Sequence, residues 1–150
     1  MNVAAVCSRD VVSCSGQQSL RHLAELMRHH HVGSVVVTTG EASGVRKPLG
    51  VVTDRDIVVE AVATGLDPEA ITASDVVQAP LVVVHEQDSL LDAIHRMRSR
   101  GVRRLPVTDS RGSLSGIVTF DDVLHALTHE LSTLVRVAEH QPDQESRTRP

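Results

Sequence analysis

The chain contains no tryptophan and no tyrosine, and Phe120 is its one aromatic residue, so nucleobases would find almost nothing to stack on. It has no excess of positive charge either. Fifteen Lys and Arg stand against nineteen Asp and Glu, a formal net charge of −4 with His neutral, which provides no field for tracking a phosphate backbone. Both features argue against a nucleic-acid partner. Fourteen of the fifteen cations are Arg, Lys47 being the exception, which reads as codon bias more than function. No apolar run approaches the roughly 18 residues of a membrane helix, and the stretch from Met1 to Cys7 lacks the basic and then apolar pattern of an export signal. The expectation is a soluble, cytoplasmic chain with no membrane partner. The two cysteines, Cys7 and Cys14, are too few for a disulfide scaffold and lack C-x-x-C spacing. On one extended strand, at about 3.3 Å per residue, they would lie far beyond the roughly 7 Å reach of a bridge.

What is present is ordinary in proportion and unusual in order. Hydrophobic residues make up 41% and charged residues 23% of 150, enough to bury a core in one body or in two small units that share one. The chain repeats itself. Gly50-Val51-Val52-Thr53-Asp54-Arg55-Asp56-Ile57-Val58 and Gly116-Ile117-Val118-Thr119-Phe120-Asp121-Asp122-Val123-Leu124 share one pattern at an offset of 66 residues. Upstream, Ser19-Leu20 pairs with Ser89-Leu90, Met27 with Met97 and Val32 with Val102, at an offset of 70. The four extra residues of the first copy fall between Val37 and Leu49, where a Gly-, Ser- and Thr-rich stretch can absorb them at little cost.

Each copy reads as β-α-β-β-α. In the second, Leu81–Val84 forms a strand, Asp88 or Ser89 can cap a helix with the stripe Leu90, Ala93, Ile94 and Met97, and Gly101 ends it. Strands over Val102–Thr108 and Leu114–Thr119 are joined by the turn at Asp109–Gly112, and a helix opens after Thr119. In the first, strands are expected near Val11–Cys14, Ser34–Thr38 and Leu49–Thr53, with helices over Ser19–His30 and Asp54–Thr64 and a left-handed cap at Gly65. The units span 5–68 and 72–137. A unit of about 60 residues leaves one sheet face uncovered, so the α/β (α+β) fold expected is two such units packed sheet to sheet with pseudo-two-fold symmetry and equivalent clefts between them.

The duplicated G-h-h-T-x-x-D, the run Val102-Arg103-Arg104-Leu105-Pro106-Val107 and the tandem layout resemble a pair of cystathionine-β-synthase (CBS) domains over about residues 5–135. The chain is also similar to small stand-alone bacterial members, which often carry T-D-R-D-I and G-L-D-P, here Thr53–Ile57 and Gly65–Pro68. The resemblance implies a non-catalytic regulatory or sensor module that binds an adenosine-containing ligand (AMP, ADP, ATP or S-adenosylmethionine), often as a homodimer. It needs no cofactor and acts on an effector protein that the sequence does not name. It also implies a Thr119 and Asp122 site that gains Arg103 and Arg104 and seats its base against Val11, Val12 and Ser34. A reciprocal site has Thr53, Asp56 and Arg55, with Val82 and Val83 as a base wall. Gly33 and Ser34 replace the arginine pair there, so this second site is expected to hold phosphate less well.

The residues support that chemistry independently. A Thr at a strand-to-helix junction sits among free N–H groups that favour an anion, and an Asp one turn on offers acceptors for paired ribose hydroxyls. The competing reading is a plain capping box, which stabilises a helix with no ligand present. Such a box usually carries Glu or Gln, and both copies carry the shorter Asp. No nucleophile elbow, Walker loop or His-Glu zinc helix marks an enzyme. The alternative function is a structural or protein-interaction dimer with degenerate, empty sites; a third reading is a metal or redox responder. Consecutive side chains His29, His30 and His31 splay roughly 100° apart on a helix and cannot all close on one ion.

The last helix carries the stripe Val123, Leu124, Leu127, Leu131, Leu134, Val135 and Ala138 and is expected to run until Pro142, with 141–150 a disordered tail. Its counterpart stops at Gly65, so the extra turns have no sheet of their own to cover and are expected to pack against a second copy. Truncation after His129 is therefore expected to lower the molecular mass in solution; an unchanged mass by light scattering would overturn this.

Overall fold

The hydrophobic period alternates between two and 3.6 along the chain, and the computed structural model, which describes residues 1–39, 41–77 and 80–148, turns that alternation into two successive units. The first comprises strand β1 (Ser13–Ser15), helix α1 (Leu20–His30), strands β2 (Ser34–Thr39) and β3 (Lys47–Thr53) and helix α2 (Asp54–Ile57). A short helix α3 (Ala73–Val76) lies in the connection. The second comprises β4 (Val84–His85), α4 (Leu90–Arg100), β5 (Arg104–Thr108), β6 (Leu114–Thr119) and α5 (Phe120–Thr148). The sheets run β1-β2-β3 and β4-β5-β6, with a parallel pair followed by an antiparallel one in each. This is the expected α+β duplication.

The repeat extends to fine detail. Ser19 and Ser89 cap their helices by accepting from the backbone N–H groups of His22 and Asp92 at 3.2 and 3.1 Å. Both central strands shift register before a buried threonine, Thr38 or Thr108, whose hydroxyl donates to the carbonyl of Cys14 or Val84 at 3.4 Å. Helix α4 ends on Gly101 with φ 64°, whereas α1 ends on His31 with φ 55°, a left-handed conformation that a non-glycine residue adopts at a cost.

Alternation along the strands places Val35 and Val37 against Leu20, Leu23 and Met27, and Leu105 and Val107 against Leu90, Ala93 and Met97. The residues between them, Val36 and Pro106, point to the opposite sheet face and are buried too. That face is covered by the other unit, so the sheets pack against each other. At one edge Leu114 donates its N–H to the carbonyl of Arg46 at 2.7 Å, and Arg46 donates its own to Ser113 Oγ at 3.1 Å.

The two units also exchange segments. Val3, with no exposure, belongs to the second unit's core, and the N–H groups of Val3 and Ala4 donate to the carbonyls of Asp88 and Glu86 at 2.9 and 3.0 Å. Ser8 and Ile117 exchange a reciprocal pair of backbone bonds at 2.9 Å. Residues around α3 do the same for the first unit. There Leu20 donates to Ile71, Ala73 to Gln18 and Ser74 to Gly16 at 2.9, 2.8 and 3.0 Å. The ranges 5–68 and 72–137 thus follow chain order, and the packing crosses them.

Several expectations need correction. The strands expected at Val11–Cys14 and Leu81–Val84 begin later, at Ser13 and Val84: Leu81 and Val82 line the inter-unit cavity, and Val12 joins β2 only through its carbonyl, which accepts from Val36 N–H at 2.9 Å. The helix after Thr53 becomes a π-helix over Val58–Val62, with Ala63 N–H donating to Val58 and Leu66 N–H to Ala61, while Thr64 Oγ1 donates to Glu60 and Ala61. Helix α5 continues past Pro142 to Thr148, so the tail expected to be disordered is helical that far; residues 149–150 lie outside the described residues. Gln144, Glu145 and Arg147 are good helix formers, and Arg147 in the last turn complements the helix dipole. Leu131, Leu134 and Val135 of that helix are more than half exposed in the single chain.

A Cβ added at Gly116 would lie 2.8 Å from the carbonyl oxygen of Ser8 and 3.0 Å from Cys7 Sγ. Gly116→Ala is expected to cost roughly 1–3 kcal/mol in chemical denaturation, with hydrogen-exchange protection lost at Val3, Ala4 and Ser8. Unchanged protection there would show that the segment does not depend on this contact. Asp92 and Asp75 have carboxyls held below the ordinary value, Asp92 by the Ser89 hydroxyl and backbone, Asp75 by the Thr72 backbone and then its hydroxyl. A depressed folded pKa contributes stability above the unfolded value of roughly 4 and loses it as pH falls through the lower folded value. The melting temperature is therefore expected to fall below that pH, and less steeply in Asp92→Asn.

Candidate functional site

The repeated Thr and Asp stand where β3 meets α2 and where β6 meets α5. In the first unit Asp56 Oδ2 accepts from the Thr53 backbone N–H at 2.8 Å and from its hydroxyl at 3.1 Å, and Thr53 Oγ1 accepts from the Asp56 N–H at 3.3 Å. The second repeats this with Asp122 and Thr119 at 2.8, 2.7 and 3.1 Å. Both are complete capping boxes. Two more exist, at Thr72 with Asp75 and at Ser89 with Asp92, and both also use aspartate. The short carboxylate is thus this chain's general capping choice and does not distinguish a ligand site.

The helix end is also less open to an anion than expected. The N–H of Asp54 donates to the carbonyl of Gly33 at 3.1 Å, that of Arg55 to Asp54 Oδ1 at 2.9 Å, and that of Asp56 to Thr53 Oγ1. With the threonine hydroxyl donating to Asp56, the donors that were to meet a phosphate are engaged within the chain.

The cleft itself is present. A cavity of about 570 Å³ brings Thr53, Arg55 and Asp56 of the first unit together with Leu81 and Val82 of the second. Val82 thus stands where a base wall was expected. Val83 is not among the lining residues, and its carbonyl accepts from the Arg96 guanidinium. Asp54, Arg100, Arg103 and Arg104 also border the cavity. Sequence reasoning missed Asp54, Leu81 and Arg100. Arg100 closes α4 in a turn that reads as solvated, and only the approach of the other unit gives it a cleft to face.

The arginine pair requires a correction. Arg104 is the cross-strand partner of Thr119, yet its Nη2 lies 3.5 Å from the point where a Cβ on Gly33 would stand, and Asp54 Oδ2 lies 3.4 Å from the same point. Its guanidinium therefore reaches the first unit, beside the Thr53 cavity. Arg103 points elsewhere, with its guanidinium carbon 4.6 Å from the centre of the Phe120 ring and Nη2 3.8 Å from Asp121. The physical reason is the pseudo-dyad, because a side chain at the start of β5 that faces the other sheet arrives at the other unit's motif. By the offset of 70 Ser34 occupies the position of Arg104, and by the offset of 66 Phe120 and Asp121 occupy those of Asp54 and Arg55. The Arg104 guanidinium thus belongs with the Thr53 cavity, and that of Arg103 stays beside Phe120 and Asp121, next to Thr119. Val11, Val12 and Ser34, expected at the Thr119 side, are half-buried around β1 and β2.

A second cavity of about 390 Å³ lies between α4 and α5, with apolar walls from Ile94, Met97, Val102, Phe120, Val123, Leu124 and Leu127. No sequence motif marks it. The His29 and His30 rings stand edge to face at 4.9 Å, and His31 forms the helix cap. Among the described residues no three His, Cys, Asp or Glu side chains converge as metal ligands. Burial pushes the Cys7 thiol up, so it is less acidic than a free cysteine.

Comparison with known proteins agrees with this architecture. The chain is 33% identical over 127 residues to hypoxic response protein 1 of Mycobacterium tuberculosis, covering 83% of this chain and 85% of that one. It is 34% identical over 134 residues to a protein of Methanopyrus kandleri, spanning 89% of this chain and 66% of that relative's length. Among solved structures, a CBS domain protein from Pyrobaculum aerophilum complexed with AMP superposes with a TM-score of 0.74 at 27% identity, over 89% of this chain and 99% of that one. Hypoxic response protein I with two coordinated zinc ions gives 0.73 at 28% identity, over 83% and 98%. The CBS domain family matches twice, at residues 3–62 and 73–129, and with the duplicated fold and paired motifs this chain belongs to the CBS-domain family as a tandem pair.

Proposed function

We propose that this chain is a non-catalytic regulatory module that takes an adenosine-containing ligand, AMP, ADP, ATP or S-adenosylmethionine, in the cleft between its units. One observation carries the reading: the cavity in which Thr53 and Asp56 of one unit face Leu81 and Val82 of the other. The apolar pair forms a wall on which a base can lie. Asp56 accepts its capping bonds through Oδ2, and its second oxygen is the acceptor for ribose hydroxyls. The AMP complex of the Pyrobaculum aerophilum relative supports the choice of ligand class. By pseudo-symmetry Thr119 and Asp122, with Val11, Val12 and Ser34, form a second and weaker site.

A ligand bound by both units favours whichever arrangement presents both halves of its site, and it can shift that equilibrium only by its difference in affinity between arrangements. An effector protein would read the shift. The exposed stripe Leu124, Leu127, Leu131, Leu134 and Val135 is the surface through which two copies would associate. A second reading, a structural dimer whose boxes are only caps, is favoured by one observation: Asp56 and Asp122 are engaged in the same way as Asp75 and Asp92.

A thermal-shift series with AMP, ADP, ATP and S-adenosylmethionine separates the two readings. A ligand at 100 times its dissociation constant contributes about 2.7 kcal/mol, a rise of roughly 5 to 10 °C for a chain of this size. Asp56→Ala is expected to abolish most of the rise and Asp122→Ala less of it. No rise with any compound would favour the structural dimer.

A further inference from the structure

Besides Arg103, which is paired with Asp121, three arginines border the inter-unit cavity from three different elements: Arg55 on α2, Arg100 at the end of α4 and Arg104 at the start of β5. None of them has an ion-pair partner among the described residues, although the same chain pairs Arg9, Arg21, Arg96, Arg103 and Arg111 with carboxylates. The cavity holds two carboxylates, Asp54 and Asp56. Asp54 Oδ2 and Arg104 Nη2 flank Gly33 from separate directions without closing a pair. Cationic charge therefore exceeds anionic charge within one concave, partly desolvated space, where it acts more strongly than on an open surface.

Which ligand this charge selects follows from where the other donors have gone. The N–H groups of Asp54, Arg55 and Asp56 and the Thr53 hydroxyl are all engaged within the chain. Recognition of an anion here falls to the guanidinium groups alone. A planar fork meets a phosphate with two parallel bonds, so one or two arginines suffice for a single phosphate. A third arginine, arriving from another element, is left with its charge unmatched unless the ligand has a second phosphate to offer. A ligand with a sulfonium centre would bring positive charge into a site already positive. A cavity of about 570 Å³ falls within the range of nucleotide-sized sites.

We propose that the Thr53 cavity is specific for a nucleoside di- or triphosphate over the monophosphate, the bare nucleoside and S-adenosylmethionine, with Arg55, Arg100 and Arg104 holding the terminal phosphates. The proposal rests on the nucleoside reading given above and adds the phosphate chain to it. Isothermal titration of the full chain at fixed ionic strength, with adenosine, AMP, ADP, ATP, S-adenosylmethionine and inorganic pyrophosphate, tests both. ADP and ATP are expected to bind roughly tenfold or more tighter than AMP, and the advantage should shrink as salt is raised. In Arg100→Gln/Arg104→Gln the ratio of ADP to adenosine affinity is expected to collapse toward one. Arg104→Lys, which keeps the charge and loses the fork, should fall between. Equal binding of adenosine and ADP by the native chain, tighter binding of S-adenosylmethionine than of ADP, or an unchanged ratio in the double variant would each overturn the proposal. Pyrophosphate binding as tightly as ADP would overturn the nucleoside reading and leave the polyanion site standing. Absence of binding by all six would overturn both.

Discussion

A three-stranded sheet with helices on one side leaves the other side to water, and Val36 and Pro106 on that bare face can be buried only by a second sheet. This constraint governs everything else in the molecule. It makes the two units inseparable and sets the dyad between them. It also aims the side chains at the start of one central strand into the motif of the other unit. The exchanged segments strengthen the dependence, since Val3 completes the core of the second unit and Ala73 that of the first. A cleft formed in this way belongs to neither unit. A ligand seated there contacts both halves, which is the physical basis for reading occupancy as a change in arrangement.

The duplicated Thr and Asp are first of all structural. Each forms a capping box no different in kind from those at Thr72 and Ser89, which lie outside the cavity described at Thr53. Their position matters more than their chemistry. The box fixes the strand-to-helix junction at the cavity wall and engages the local N–H groups, while the charged side chains around it differ between the copies. Those side chains have diverged, Arg104 against Ser34 and Arg55 against Asp121, so the duplicated scaffold presents unlike residues at its two motifs.

Much of the fold was legible because it rests on local patterns that occur twice. The stripe Leu90, Ala93 and Met97 beside Leu20, Leu23 and Met27, the serine caps and the alternation along β2 and β5 are all written in the order of residues. Four-residue α3 was not, because a single turn carries no period to detect. The π-helix at Val58–Val62 also escaped, since it depends on backbone bonds that composition does not encode, and so did the run of α5 beyond Pro142, where a proline reads as a helix stop.

The site divides along the same line. Sequence alone determined the repeated motif residues Thr53, Asp56, Thr119 and Asp122, and the resemblance to CBS domains implied the place of Val82 opposite the first of them. Only the tertiary structure decided that Arg104 parts from Arg103 and reaches the first unit, because neighbours along a strand are not neighbours across a dyad. Arg104 pairs with Thr119 in the ladder, yet its guanidinium stands beside Asp54 of the other unit.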